Sequence, residues 1–166
     1  EIANAMIKIN PDILFLLVGA GYDKTKIINT SIEYGLYNKT FYCMDYVDKD
    51  QMPELLSRAT IATSLFIDLP EMQNNSANKF FDGLAAGKPI MINYGGWQAD
   101  LLQNYGCGFK IPSNDAPTSA RIINDVITDK TKLKQMSKGS ISLAKKFDIE
   151  TNYKKFVNII DNVMHS

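Results

Sequence analysis

The chain has 166 residues, 45% of them apolar and 10% aromatic, and its 18 basic side chains balance 18 acidic ones. That is the size of one domain with ample material for a core, and a formal charge of zero gives no field to draw it onto nucleic acid or anionic lipid. Cys43 and Cys107 stand far apart in apolar surroundings, unlike a dense secreted disulfide scaffold, and fit a reducing cytosol.

No apolar run approaches the roughly 18 residues that span a bilayer, and residues 1–10 lack the charged start and apolar block of a signal peptide. The opening, without an initiator methionine, reads as the end of a helix with Ile2, Met6 and Ile9 on one face, as if cut from a longer protein. Residues 13–18 (ILFLLV) form a continuous apolar run between Pro11-Asp12 and Gly19-Ala20-Gly21, which predicts a strand buried on both faces. Ile27, Ile28 and Ile32 then stripe a helix over 23–34, closed by Gly35. Residues 40–43 (TFYC) predict a short strand ending at Asp45. Met52, Leu55, Leu56 and Ala59 predict a helix over 52–59, with Pro53 in its first turn, leading into a strand at 61–64.

Residues 65–77 carry Pro70, Asn74, Asn75 and Ser76 without a period, so they predict a long loop, and loops of that length inside a compact domain tend to serve function. Phe81, Leu84 and Ala85 restore helical spacing over 78–86, and Gly87-Lys88-Pro89 stops it before a strand at 90–93. Gly95-Gly96 turns the chain into a helix over 97–104, and Gly106-Cys107-Gly108 into a last strand at 109–111. Helices at 118–128, 130–147 and 149–164 complete the chain. Strands alternating with helices predict a doubly wound, Rossmann-like α/β domain with a parallel sheet, whose ligands bind outside the carboxyl ends of the strands. The loops after Val18, Cys43, Ser64 and Asn93 therefore line the expected site.

The segment Asn74-Asn75-Ser76-Ala77-Asn78-Lys79-Phe80-Phe81-Asp82 sets small polar residues at a helix start, where unpaired N–H groups and the positive dipole end favour an anion. Asp82 lies four residues after Asn78, about 40° round the helix, so the two share a face one turn apart. A carboxylate there can accept hydrogen bonds from a ribose-like diol while phosphates sit at the helix tip.

The run from Asp82 to Pro89 resembles the Glu-Ala-Met-Ala-x-Gly-Lys-Pro-like run of GT-B glycosyltransferases, especially the retaining family-four group. Ser76-Ala77-Asn78-Lys79 looks like the Ser-x-Asn-Lys variant of enzymes of surface polysaccharide synthesis. Gly19-Ala20-Gly21, Gly95-Gly96 and Gly106-Cys107-Gly108 are similar to that family's glycine turns in the same order, so the resemblance covers about residues 12–112. It implies that residues 1–166 are the C-terminal, donor-binding half of a GT-B enzyme, without its first strand or its N-terminal acceptor-binding domain. The implied ligand is a nucleoside diphosphate sugar, held by Gly19, Gly21, Tyr46, Val47, Asn74, Ser76, Ala77, Asn78, Lys79 and Asp82, with Tyr46 and Val47 at the base.

The same resemblance implies transfer with retained anomeric configuration to a polysaccharide precursor of capsule or lipopolysaccharide type. No cofactor or metal is implied. The enzyme would work in the cytoplasm at the inner face of the membrane, with any peripheral membrane association made through the absent domain. The family has two glutamates eight residues apart; here Asn74 stands at the first position and Asp82 at the second. The second exchange keeps a carboxylate, whereas the first removes a charge that in relatives touches the donor sugar. The family's diphosphate-clamping Arg and Lys lie ahead of residue 1, so the isolated chain is expected to be inactive.

Two other readings remain at the level of sequence: a nucleotide-sugar epimerase, which shares the fold but needs catalytic carboxylates that have no place here, and a non-catalytic nucleotide-binding or regulatory module. A phosphoacceptor receiver would need acidic residues at strand ends, where Gly19 and Leu65 stand instead. The single histidine, His165, lies in the tail, and no His/Cys/Asp/Glu group has metal-ligand spacing. Trp97 suits either an amphipathic helix face or a ligand ring. Ile149, Tyr153, Phe156, Val157, Ile160 and Val163 make a wide apolar stripe on the final helix, which predicts a surface left exposed, covered by a neighbour or folded back.

Overall fold

A computed structural model describes residues 1–165. Five short strands alternate with helices: α1 (Ile2–Met6), β1 (Phe15–Val18), α2 (Lys24–Glu33), β2 (Phe41–Met44), α3 (Met52–Arg58), β3 (Ala62–Ser64), α4 (Asn78–Ala85), β4 (Ile90–Ile92), α5 (Trp97–Tyr105), β5 (Gly108–Lys110), α6 (Ala116–Thr128), α7 (Lys130–Ala144) and α8 (Ile149–Met164). Every pairing is parallel, as expected where helices form the crossovers. β1 pairs β2 with Phe15 opposite Phe41, while β3, β4 and β5 lie side by side with Ala62 opposite Ile90 and Ile90 opposite Gly108.

The expected sheet is thus divided. Among the described residues β1–β2 and β3–β4–β5 are two sheets, and β1 and β3 each keep an unpaired edge. The expectation that residues 13–18 are buried on both faces is also corrected: Leu14 and Leu16 are 64% and 48% exposed, with Tyr42 and Met44 exposed opposite. Alternate residues Phe15 and Leu17 turn inward, and nothing among the described residues covers the other face. The 65–77 loop holds a short 3-10 turn, Pro70–Asn74, that periodicity did not show.

The larger core gathers Phe80 and Leu84 of α4, Ile90 and Ile92 of β4, Leu102 of α5 and Leu143 of α7. Burying each such side chain contributes roughly 1.5–3 kcal/mol. A second cluster on the opposite face joins Met6, Met91, Ile111, Ala120 and Ile123, and Ile13, Phe15 and Ile61 pack on it, tying β1–β2 to the main sheet. The buried Ser140 is paired at the seam: it donates to the carbonyls of Lys88 (2.7 Å) and Cys107 (3.2 Å), fastening α7 under the strands. Asp115, Asp129 and Asp148 cap α6, α7 and α8 by accepting from the N–H groups of Thr118, Lys132 and Thr151.

After α7 the chain makes a 3-10 turn, Lys145–Phe147, and enters α8, which has no buried residue. Ile149, Tyr153, Phe156 and Ile160 of its apolar stripe are exposed on the chain, so these side chains are not folded back onto the domain.

Candidate functional site

Three segments lie outside the carboxyl ends of β1, β2 and β3. The first two are fastened together: Gly19 N–H donates to the Met44 carbonyl (3.2 Å), extending the β1–β2 ladder, and Lys24 Nζ, at the start of α2, donates to the same carbonyl (3.3 Å) and pairs with Asp45. This holds the glycine turn 19–21 against the segment carrying Tyr46 and Val47. Tyr46 is 72% exposed and Val47 half-buried.

The third segment, 65–77, is bound at several points along its length. Phe66 and Asn93 exchange hydrogen bonds, Phe66 N–H to Asn93 Oδ1 at 2.9 Å and Asn93 Nδ2 to the Phe66 carbonyl at 2.7 Å. Lys79 Nζ donates to the Leu65 carbonyl (2.9 Å) and sits 4.1 Å above the Phe66 ring, and partial burial pushes its ammonium below the ordinary lysine pKa. Trp97 Nε1 donates to the Asn75 carbonyl at 3.0 Å.

At the junction with α4 the local sequence leaves donors open. Ala77, at the N-cap, has no side chain to cap the helix. The N–H groups of Ser76, Ala77, Asn78 and Lys79 donate to no acceptor among the described residues; the next, on Phe80, reaches the Ala77 carbonyl at 3.0 Å. Successive free donors at the positive end of a helix dipole form a ready anion site. Asn74 and Ser76 are exposed on either side of Asn75, and Asp82 is exposed one turn into α4. α4 presses close to the sheet because residue 83 is glycine: a Cβ there would stand 2.6 Å from Ile90 Cδ1 and 2.8 Å from Ala62 Cβ.

Beneath this junction lies a buried polar cluster. Tyr94 shares its hydroxyl with Ser64 Oγ (3.0 Å) and Gln98 Oε1 (2.5 Å). Burial pushes the Tyr94 phenol up in pKa, opposed by its hydrogen bond to Ser64 and by the nearby Asn75 carboxamide. Gln98 Nε2 and Asn75 Oδ1 are buried without a partner.

All the residues singled out from sequence therefore stand at strand carboxyl ends: Gly19 and Gly21 after β1, Tyr46 and Val47 after β2, and Asn74, Ser76, Ala77, Asn78, Lys79 and Asp82 after β3. The segments after β1 and β2 touch each other through Lys24, while the third lies on the second sheet. Two surface hollows of about 270 and 320 Å³ are lined by other residues, among them Lys88 and Leu133 in one, Asp100 and Lys110 in the other. Sequence reasoning did not single out Asn75, Asn93 or Tyr94, and it left Trp97 open. The signal for Trp97 was its place directly after Gly95-Gly96, where a bulky ring must meet the neighbouring loop. Among the described residues no group of three His, Cys, Asp or Glu side chains is placed to hold a metal, and no helix is long and apolar enough to cross a membrane.

Parallel crossovers, glycine turns at strand ends and a bare helix N-terminus followed by a carboxylate make a Rossmann-like α/β domain with an anion-type site. The profile described as "Glycosyl transferases group 1" matches residues 2–142, and the chain belongs to that family. No curated protein matches it. Among solved structures it is similar to HepE of Anabaena in complex with UDP-glucose, at 19% identity and a TM-score of 0.79 over 97% of this chain and 44% of that one. Sucrose-phosphate synthase from Thermosynechococcus elongatus gives 16% identity and 0.80 over 99% and 42%. The C-terminal domain of a group 1 glycosyl transferase, LpcC, from Francisella tularensis gives 14% and 0.71 over 89% and 76%. The chain thus spans less than half the length of HepE and of the synthase.

Proposed function

We propose that this chain is the donor-binding half of a retaining glycosyltransferase that takes a nucleoside diphosphate sugar and passes a hexosyl group to a cell-surface polysaccharide precursor at the cytoplasmic face of the membrane. The observation that carries the reading is the row of free N–H groups on Ser76, Ala77, Asn78 and Lys79 at the start of α4, one turn before the exposed Asp82. Fixed donors of this kind stabilise the charge that grows on a departing diphosphate, and they do so without reorganising during the reaction. Asp82 accepts from the ribose hydroxyls, Tyr46 and Val47 meet the base, Gly19 and Gly21 keep space at the strand end, and Asn74 faces the donor sugar. HepE, whose structure was determined with UDP-glucose, shares this fold.

In this reading neither cofactor nor metal takes part, and the chain supplies leaving-group stabilisation rather than a base. An acceptor-binding domain and a basic clamp on the diphosphate are, in the same reading, supplied from outside this chain, which spans 44% of HepE and 42% of the synthase. One further parallel strand from outside the chain fits the free edges of β1 and β3.

Calorimetric titration of the purified chain with UDP and with GDP tests the reading. A Kd between about 0.1 and 5 mM for one of them, with no sugar transfer by the chain alone, is the expected result. Absence of binding to both at several millimolar overturns the donor site, and turnover by the chain alone overturns its being half of the catalytic unit.

A further inference from the structure

We propose that Trp97 is a positioning residue for the diphosphate site: its indole N–H fixes the Asn75 carbonyl and so sets the row of N–H groups that begins at Ser76. The inference rests on the donor-binding reading above and adds to it a residue that touches no ligand.

Asn75 is the last residue before the free donors, and it is held from several directions. Its own N–H reaches the Met72 carbonyl at 3.3 Å, and its Nδ2 donates to that carbonyl too, which shapes the end of the Pro70–Asn74 turn. Its carbonyl would otherwise accept nothing; Trp97 Nε1 fills that role at 3.0 Å. Rotation of the peptide that follows Asn75 turns the Asn75 carbonyl and the Ser76 N–H together, because the two belong to one planar unit. A donor that pins the carbonyl therefore also aims the first N–H of the anion site.

The indole is itself held against movement. Its ring lies 6.4 Å from Phe80 and 6.2 Å from Phe81, the two aromatic residues of the first turns of α4, and Phe81 in turn meets Phe147 edge-on at 4.9 Å. Trp97 is the first residue of α5, so one side chain connects three pieces: the start of α5 by its backbone, the 65–77 loop by its N–H, and α4 by its ring. The adjacent glycine makes the approach feasible, since the loop's Gln73 carbonyl passes where a side chain on Gly96 would stand. This geometry removes the ligand-ring alternative for Trp97: its hydrogen-bonding edge faces the loop backbone and its ring lies within the α4 aromatic group.

The protein contains one tryptophan, so its fluorescence reports this position alone. The test is UDP titration of the whole chain followed by calorimetry and, in parallel, by tryptophan emission. Two substitutions accompany it: Trp97→Phe, and replacement of Trp97 by 3-benzothienylalanine, which keeps the ring's size and packing and exchanges only the N–H for sulfur. The expected results are an emission change with the same midpoint as the heat, and at least five-fold weaker UDP binding in both variants, with the urea midpoint of the benzothienyl protein unchanged. UDP binding by the benzothienyl protein within two-fold of the unsubstituted chain overturns the positioning role, even where Trp97→Phe is weakened, because packing alone would then explain the effect. Binding lost in both variants but with no emission change on titration also overturns it. If the unsubstituted chain takes up no UDP, the donor-site reading fails first and this inference falls with it.

Discussion

Gly96 and Gln73 approach so closely that a Cβ on Gly96 would stand 2.2 Å from the Gln73 carbonyl oxygen. Gly96 also has φ +83°, where side chains are strained whatever the space. The contact seats the 3-10 turn of the 65–77 loop on the turn between β4 and α5. Gly96→Ala should therefore cost roughly 2–4 kcal/mol, from positive φ and overpacking together, and lower the Tm by roughly 5–15 °C. UDP affinity should fall as well, since the loop cannot keep its seat. A Tm loss under about 2 °C would mean that the loop is free to move off.

Asp82 is exposed on α4 and its carboxylate makes no hydrogen bond or ion pair with the described residues, so removing that carboxylate should leave the fold intact. Asp82→Ala should weaken UDP binding about 10- to 100-fold, the worth of charge-assisted bonds to two hydroxyls. Asp82→Glu should stay within about three-fold, because the longer carboxylate reaches the same hydroxyls. Unchanged affinity in the alanine variant would leave Asp82 as an ordinary surface residue.

How much of this was legible in the sequence differs between elements. α4 and α8 begin where their polar-to-apolar transitions place them, and the glycine pairs mark the turns before α5 and β5, because those signals are local. Residues 13–18 misled: a continuous apolar run announces burial, but whether both faces find cover is decided by elements far away in the chain, and Leu14 and Leu16 find none. The bare start of α4 was legible because helix starts and unpaired donors follow from a few neighbouring residues. Its supports were not. Lys79 looks in sequence like a residue for ligand, yet its ammonium is committed to the Leu65 carbonyl and the Phe66 ring, and the pairing of Asn93 with Phe66 spans 27 residues.

α8 contributes no buried side chain. A chain ending at Asp148 should therefore unfold with a Tm within about 3 °C of the full chain, since surface elements contribute little to a core's stability. The full chain should self-associate as its concentration rises, while the shortened one sediments as a monomer, because several exposed large apolar side chains on one helix favour contact. Loss of cooperative unfolding on truncation would assign α8 to this domain's own core.

Burial pushes the Cys107 thiol up to about 11, and burial also raises Cys43, partly offset by the Lys24 ammonium nearby. Thiolate is the reactive form, so at pH 8 only about one Cys107 in a thousand is ionised, and the residue is wholly buried besides. An aromatic disulfide reagent should label Cys43 slowly in the native protein and Cys107 only once urea unfolds it, as peptide mass spectrometry would read. Native labelling of Cys107 at a rate like that of Cys43 would mean that β5 and α7 open together.

The edge-on contact between Phe81 and Phe147 stands at the root of α8. A helix of 16 residues is about 24 Å long, so a swing of about 10° about that root carries the Met164 end through roughly 4 Å while moving the Phe147 ring by less than about 1 Å. Phe147 is thus separated from Trp97 by the single ring of Phe81. The root of α8 and the loop that ends at Asn75 are thereby joined through one aromatic group, Phe147, Phe81 and Trp97.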